Sequence, residues 1–204
     1  MMLIIVRHAQ TDWNAQKKMQ GQRDNPLNEE GIRQTKELAK ALSGTKIDKI
    51  YSSDLKRCIS TAREIARDRK IEILARAGLR EIDLGDMEGK TQEEMKEKHE
   101  WYENRKKDKY NSPFPNGESY ADVEKRVAPV LKEIQQENRD STVAIVAHEC
   151  ANRVIIGKLL GLEEKKVEKI IQPQGFIYFI DTETKIIEHG KDRKRHEGLI
   201  EKEE

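Results

Sequence analysis

The chain has 204 residues, of which 38% are charged and 35% hydrophobic, so we predict one domain with a densely charged surface. Its 39 lysines and arginines are nearly balanced by 38 aspartates and glutamates, and the formal charge of +1 favours no nucleic-acid partner. No apolar run reaches the roughly 20 residues of a membrane span, no signal peptide precedes the first strand, and Cys58 and Cys150 form no disulfide framework. We therefore expect a reduced, cytoplasmic protein without a membrane partner.

The first predicted element is a buried strand at the amino terminus. Residues Leu3-Ile4-Ile5-Val6 are apolar and mostly β-branched, and the run stops at Arg7 and His8. Open α/β sheets bind ligands at the carboxyl ends of their strands. A cation beside an imidazole at that edge suits an anionic substrate, with the histidine as base or nucleophile. The alternative for this pair, taken by itself, is an ordinary surface loop.

Helices and strands alternate after this strand. Asn28 is a candidate N-cap for a first helix, and Ser52-Ser53-Asp54 would cap a second one. Short strands are predicted at 47–51 and 71–74. The resulting order, β-α-β-α-β, is typical of a doubly wound or related α/β sheet.

The middle of the chain is less regular. Residues 79–89 mix acids and glycines and are predicted to form a loop across the top of the sheet. A charged helix is predicted to begin at Thr91, whose spacing to Glu94 is that of a capping box. We interpret 91–116, which is rich in lysine and arginine, either as a lid that selects the substrate or as a solvated helix face.

The last third repeats the pattern of the first strand. After a long helix, residues 142–147 form a second apolar run, which also ends in a histidine, His148. A helix and a hairpin at about 176–188 follow, and the charged tail, about 190–204, is expected to fray. No linker divides the chain, so we assign residues 1–204 to one domain.

Two strands that each end in a histidine are more informative than either alone, because both ends would lie at one edge of the sheet. Arg57 is predicted in the first turn of the second helix, where free N–H groups favour an anion. Arg7, Arg57 and His148 could then converge on a dianionic group, with His8 placed to attack it. The sequence has no GxxxxGKS/T, no GxGxxG after the first strand, no HExxH and no paired CxxC, so we predict neither a nucleotide loop nor a metal site.

Five segments, in order along residues 1–160, also form a recognisable pattern. They are Arg7-His8-Ala9-Gln10-Thr11 with Trp13-Asn14 and Gln20-Gly21; Ser52-Ser53-Asp54-Leu55-Lys56-Arg57 with Thr61-Ala62; Leu79-Arg80-Glu81 through Gly89; Asn116-Gly117-Glu118-Ser119; and Val146-Ala147-His148. Together they resemble the histidine phosphatase superfamily, also called phosphoglycerate mutase-like. The resemblance implies an α/β fold, a three-layer α/β/α sandwich with a mostly parallel central sheet.

The resemblance also implies a two-step reaction at phosphorus. His8 would attack and become a phosphohistidine, while Arg7, Arg57 and His148 hold the phosphoryl oxygens. Glu81 would protonate the leaving oxygen and later deprotonate the water that hydrolyses the phosphohistidine, so it must carry a proton in the first step. No metal or other cofactor is required. The partners are a small phosphorylated metabolite and inorganic phosphate.

Further side chains are expected around the phosphate: Asn14 and, less directly, Thr11, Gln20, Gly21 and Glu149. Three positions depart from the family pattern. Ala9 and Gln10 replace a glycine and a glutamate, and Glu149 follows the second histidine where a neutral residue is usual. A carboxylate there would raise the pKa of His148 or, if it faced inward, repel the phosphate.

Some assignments stay open at this point. Asp83, Asp86 and Glu88 compete with Glu81 for the role of proton donor, and the choice of Glu81 rests on the resemblance. Glu118 would either contact the site or cap the following helix. Cys150 is interpreted as a packing residue, not as a nucleophile.

The predicted function is that of a metal-independent phosphomonoesterase of the histidine acid phosphatase type. One alternative is a phosphoglycerate mutase, which returns the phosphoryl group to its substrate; another is a module that binds a phosphorylated ligand without turnover. The short chain and its LREIDLGDMEG segment favour the phosphatase. Sugar phosphates or bisphosphates, phosphoserine, α-ribazole phosphate and phosphoglycerate all remain candidate substrates, and cations in the segment 95–115 would suit a second anionic group. The sequence leaves a homodimer open.

Overall fold

The computed structural model describes residues 1–95, 100–190 and 196–202. Within them, one sheet contains the strands β1 (Met2–Arg7), β2 (Lys49–Ser52), β3 (Ile73–Ala75), β4 (Thr142–Ala147), β5 (Ile177–Asp181), β6 (Ile187–Gly190) and β7 (His196–Glu197). The α-helices of the same residues are α1 (Asp12–Ala15), α2 (Glu29–Ala41), α3 (Lys56–Ala66), α4 (Gln92–Met95), α5 (Glu100–Lys107), α6 (Tyr120–Glu137), α7 (Glu149–Leu160) and α8 (Glu164–Lys169). Among these helices, none is both long and apolar enough to cross a bilayer.

The sheet has the strand order β3-β2-β4-β1-β5-β6-β7. Its first four strands are parallel, and β5, β6 and β7 extend it with antiparallel pairings. The register between β1 and β4 places Arg7 opposite Ala147. The next residues, His8 and His148, are therefore neighbours at the carboxyl edge, as the sequence predicts.

The helices cover both faces of the sheet because alternate side chains of each strand point to opposite faces. In β1, Leu3 and Ile5 belong to the core formed with α6 and α7, whereas Ile4 and Val6 belong to the core formed with α2 and α3. All four side chains are fully buried. The predicted three-layer α/β/α sandwich with a mostly parallel central sheet is confirmed.

The start of α3 differs from the prediction. The helix begins at Lys56, and its N-cap, Leu55, makes no side-chain cap bond. The predicted caps are engaged elsewhere: the hydroxyl of Ser53 bonds the ring of His148, and the carboxylate of Asp54 accepts from Arg80. These residues therefore tie the helix to the functional edge of the sheet. Arg57 remains in the first turn, as predicted.

The carboxyl-terminal tail does not fray over residues 196–202, which we call the C-terminal strap. Its first residues form β7 against β6. Further along, the amide of Ile200 donates to the Tyr178 hydroxyl at 3.2 Å, and its carbonyl accepts from the amide of Ile171 at 2.8 Å. The amide of Lys202 donates to the carbonyl of Lys169 at 2.9 Å. The prediction of a frayed tail is thus wrong for the strap; residues 191–195 and 203–204 lie outside the described part of the chain.

Candidate active site

A cavity of about 520 Å³ opens beside the carboxyl ends of β1 and β4. Eight of the predicted site residues line it: Arg7, His8, Asn14, Gln20, Gly21, Arg57, Glu81 and Glu149. The other two, His148 and Thr11, lie behind this wall and contact its members. The described residues hold no group of three or more His, Cys, Asp or Glu side chains that could bind a metal ion.

His8 is held as a neutral imidazole. Its Nδ1 lies 2.7 Å from the carbonyl oxygen of Ala9, so Nδ1 carries the proton and Nε2 keeps its lone pair. The ring is only 3% exposed, and burial, followed by the cations Arg57 and Arg7, holds its pKa well below the ordinary value. A neutral ring with a free Nε2 is the nucleophilic form of histidine.

His148 lies behind His8, with the ring centroids 5.0 Å apart. Its Nε2 is 2.9 Å from the Ser53 hydroxyl, and its Nδ1 accepts a bond from Nε of Arg57 at 3.3 Å. Burial and the charge of Arg57 lower its pKa well below the ordinary value. The expectation that Glu149 raises the pKa of His148 is therefore wrong. In this arrangement His148 orients Arg57.

Arg57 is fully buried and uses every nitrogen of its guanidinium. Besides the bond to His148, Nη2 donates to the carbonyl of Gly21 at 2.9 Å and Nη1 to that of Arg23. Gly21 has φ +52°, and a Cβ there would lie 2.4 Å from Oε1 of Glu88, so this turn requires glycine. The motif glycine thus contributes a backbone carbonyl that fixes the arginine.

Arg7 carries an unused hydrogen-bond donor at the cavity. Its Nη1 lies 2.8 Å from Oε2 of Glu149 and donates to the carbonyl of Gln172 at 3.1 Å. Its Nε is buried and has no partner within the described residues. Because buried N–H groups are nearly always bonded, this donor is suited to an incoming oxygen ligand.

Glu149 bridges two arginines. One oxygen pairs with Arg7 and the other with Arg153, four residues further along α7. Burial would raise the pKa of Glu149, but Arg7 and Arg153, with smaller contributions from Lys202 and Lys109, outweigh it, and the pKa lies below its ordinary value. The predicted substrate-binding carboxylate is thus an ionised anchor for Arg7.

Glu81 is distinguished from the neighbouring acids by its place in the cavity wall. Its Oε1 accepts bonds from the amides of Ile82 and Cys150, at 3.0 and 3.1 Å. The competing carboxylates are bonded by residues of the surrounding loops and do not line the cavity: Asp83, Asp86 and Glu88. The geometry therefore favours Glu81 among the four.

Thr11 and Asn14 form the capping box of α1. The hydroxyl and amide of Thr11 both donate to Oδ1 of Asn14, and the amide of Asn14 donates back to that hydroxyl. Oδ1 also accepts a bond from Gln174, at 2.9 Å. Thr11 is consequently buried under the helix, while the amide nitrogen of Asn14 remains available in the wall.

Other positions singled out in the sequence have structural roles. Glu118 neither reaches the cavity nor caps α6; it pairs with Arg126, and Ser119 forms the capping box. Burial raises the pKa of Cys150 to about 12, consistent with its interpretation as a packing residue. The side chain of Gln10 accepts a bond from Asn28, away from the cavity.

The sequence predicted cations from the segment 95–115 near the substrate, and Arg105 and Lys109 do line the cavity, but it did not point to Arg153 or Lys202. Arg153 is 4% exposed and donates to the hydroxyl of Tyr120 and the carbonyl of Ile170, at 2.8 and 2.6 Å. A signal existed for Arg153, since it follows Glu149 at the four-residue spacing of a helical ion pair. No comparable sequence pattern points to Lys202, which lies on the C-terminal strap and lines the same cavity.

We expect the free energy of unfolding to fall as the pH is lowered from 7.5 to 5.5. The pKa values of His8 and His148 lie below the ordinary 6.5 in the folded protein, so the unfolded chain binds more protons in this range. Each histidine contributes up to about 1.4 kcal/mol per pH unit. Glu149, with a pKa below 4.5, contributes only at lower pH. Urea unfolding at the two pH values measures the change, which should be smaller in His148→Gln; equal stability at both would contradict the expectation.

A family model described as the histidine phosphatase superfamily (branch 1) matches residues 3–188. Phosphoserine phosphatase 1 of Hydrogenobacter thermophilus is 38% identical over 169 residues, which cover 80% of this chain and 78% of that protein. Phosphoglycerate mutase-like protein 4 of Arabidopsis thaliana is 36% identical over 173 residues, covering 83% and 75%.

Two solved structures of phosphatases superpose on this chain over nearly its whole length. A phosphoserine phosphatase mutant from Entamoeba histolytica, in complex with phosphoserine, has a TM-score of 0.80 and 28% identity, covering 97% of this chain and 95% of that one. A mycobacterial glucosyl-3-phosphoglycerate phosphatase with bound VO3 has a TM-score of 0.83 and 25% identity, covering 98% of each chain.

Proposed function

This chain belongs to the histidine phosphatase superfamily, and we propose that it is a metal-independent phosphomonoesterase that forms a phosphohistidine on His8. The observation that carries the proposal is the neutral ring of His8, with its free Nε2 in a cavity that Arg7 and Arg57 also line. The relatives named as phosphatases support the same activity. The cavity volume suits a small phosphorylated metabolite as substrate. We propose that the enzyme acts in the cytoplasm.

In the first step, the lone pair of His8 Nε2 attacks phosphorus and the ester P–O bond breaks. The leaving oxygen takes the proton of Glu81, and the guanidinium groups of Arg7 and Arg57 stabilise the charge on the phosphoryl oxygens. The free Nε–H of Arg7 and the side-chain amide nitrogen of Asn14 supply further donors. The product alcohol then leaves, and the phosphoryl group remains on the histidine.

In the second step, a water molecule attacks phosphorus and the N–P bond breaks. The carboxylate of Glu81 takes the proton from this water, which regenerates the acid for the next turnover. His8 recovers its lone pair, and inorganic phosphate is released. Because Arg7 and Arg57 already neutralise the phosphoryl group, neither step calls for a metal ion.

The experiment that tests this function is the release of inorganic phosphate from p-nitrophenyl phosphate in the presence of a chelator. We expect sustained release at an unchanged rate. Saturable binding of vanadate without any hydrolysis would instead indicate a binding module. Interconversion of 2- and 3-phosphoglycerate that is faster than phosphate release would indicate a mutase.

Glu81→Gln is expected to separate the two steps. Nitrophenolate leaves without needing a proton, so the variant should release about one nitrophenolate per protein in a burst and then stall as a phosphoenzyme. Turnover of an alkyl phosphate, whose leaving group needs the proton, should fall about 10²–10⁴-fold. Rapid-quench kinetics measure both quantities.

Asp86→Asn is the matched control, because Asp86 lies in the same loop but outside the cavity wall. It should behave like the wild type with both substrates. Wild-type turnover of the alkyl phosphate by Glu81→Gln would remove Glu81 from the mechanism.

A further inference from the structure

The cavity continues outward from the phosphate-binding residues to three cations that come from separate parts of the fold. Arg105 lies on α5, Lys109 follows that helix, and Lys202 lies on the C-terminal strap. We call these three residues the outer cation cluster. Lys106 also reaches the wall, but its ammonium pairs with Glu103, and Lys107 does not line the cavity.

The charges of the outer cation cluster are poorly compensated. Within the described residues, the ammonium groups of Lys109 and Lys202 have neither a hydrogen bond nor an ion pair; that of Lys109 lies 5.4 Å from the ring centroid of Tyr120. The carboxylate that faces the cluster is Glu168, on α8. Glu149 also attracts Lys109 and Lys202 at longer range, but both of its oxygens are paired with arginines. The three cations of the cluster therefore face one carboxylate, Glu168, that forms no ion pair within the described residues, and a second, Glu149, whose charge is shared with two arginines.

This arrangement is unfavourable without a ligand. Arg105 is 7% exposed, and burial lowers its pKa. The pKa of Lys109 is also lowered, first by burial and then by the positive charge of Arg153, with a smaller contribution from Lys202. Crowded, partly desolvated cations favour the binding of an anion between them.

The fold holds these cations in place. Arg105 bonds the carbonyl of Ser112, and its guanidinium lies 3.8 Å above the ring of Phe114. The amide of Lys202 is bonded to the carbonyl of Lys169, the residue after Glu168, so the strap fixes this lysine beside α8. Lys202 lies beyond residue 188, where the match to the family model ends.

We propose that the outer cation cluster is a second-anion subsite, and that the substrate is a small phosphomonoester bearing a second anionic group, either a carboxylate or a further phosphate. The scissile phosphoryl group would lie at His8, and the second anion would lie between Lys109 and Lys202. These two lysines then determine specificity, and the strap is part of the substrate site. The inference rests on the proposed function for the position of the phosphoryl group.

Matched substrates test the subsite. Phosphoserine and phosphoethanolamine differ only by a carboxylate, and fructose 1,6-bisphosphate and fructose 6-phosphate differ by one phosphate. For at least one pair, we expect kcat/KM of the wild type to be about tenfold or more higher for the more anionic member. The pair that shows the preference tells a carboxylate from a second phosphate.

Variants of the lysines then test the assignment. Lys202→Gln and Lys109→Gln should each lower that ratio about three- to tenfold, and Lys202→Glu should lower it further. Lys36→Gln, which removes an exposed lysine on α2, should leave the ratio unchanged. Equal kcat/KM values within both pairs, or a ratio unaffected in both glutamine variants, would overturn the proposal.

Calorimetric binding of the same compounds to His8→Ala keeps the subsite testable without turnover. We expect His8→Ala to bind the more anionic ligand of a pair more tightly, and the double variant His8→Ala/Lys202→Gln to show a smaller preference. This result would support the subsite even if the wild type did not hydrolyse p-nitrophenyl phosphate. In that case only the proposed function would fail. Hydrolysis of p-nitrophenyl phosphate, together with equal affinities for both members of every pair, leaves the phosphatase in place and removes the subsite.

Discussion

Replacing His8 by alanine is expected to lower kcat/KM for p-nitrophenyl phosphate by about 10³–10⁴-fold, because the variant has no nucleophilic nitrogen. The cations that bind the phosphoryl group remain, so vanadate should still bind. A phosphohistidine is hydrolysed in acid, so the phosphorylated protein should be detected by intact mass spectrometry at alkaline pH. It should detect one added phosphoryl group on the wild type and none on His8→Ala.

His196→Ala is the matched control, since this exposed histidine on β7 does not line the cavity. It should retain both the activity and the phosphoryl label. Turnover that survives in His8→Ala would show that another group attacks phosphorus, and the mechanism proposed above would then be wrong.

Arg57→Lys is expected to have the second largest effect, although it conserves the positive charge. The three bonds come from three different nitrogens of the guanidinium, whereas a lysine has all its N–H groups on one nitrogen and cannot reach His148, Gly21 and Arg23 together. We expect kcat/KM to fall about 10²–10³-fold, as for the loss of one transition-state donor. The free energy of unfolding should fall by about 1–3 kcal/mol, because buried carbonyls lose their donor.

Arg63→Lys tests whether the effect belongs to the position, because Arg63 is an exposed residue on the same helix. It should change neither quantity. Urea unfolding with and without phosphate separates binding from folding, since phosphate should stabilise the wild type more than Arg57→Lys. Wild-type kcat/KM in Arg57→Lys would exclude Arg57 from transition-state stabilisation.

The centre of the fold and the histidine pair are predictable because they depend on local patterns. Two apolar runs, at 3–6 and 142–147, each end in a histidine, and parallel pairing aligns the two ends. The capping box of α1 is less predictable, because its second member is Asn14 and not the glutamate or glutamine of the usual pattern.

The outer half of the site depends on contacts without a local pattern. Helix α8 has one buried residue, Val167, and a single apolar side chain gives no periodicity. The strap is attached largely through backbone groups, which leave no trace in the composition of a charged tail. The partners of Glu149 depend on the direction of its side chain in the first turn of α7. The position of Glu149 directly after His148 in the sequence does not define that direction.

The central place of β1 has a consequence for biosynthesis. This strand is synthesised well before its two neighbours in the sheet, β4 and β5, since Met2 pairs with Thr142 and Asp181. Its backbone edges stay unpaired, and its apolar side chains stay uncovered, until most of the chain has been made, the situation in which nascent chains aggregate or recruit chaperones. His8 and His148 meet only at that late stage. A prematurely terminated chain that lacks β4 would consequently be inactive and a substrate for quality control.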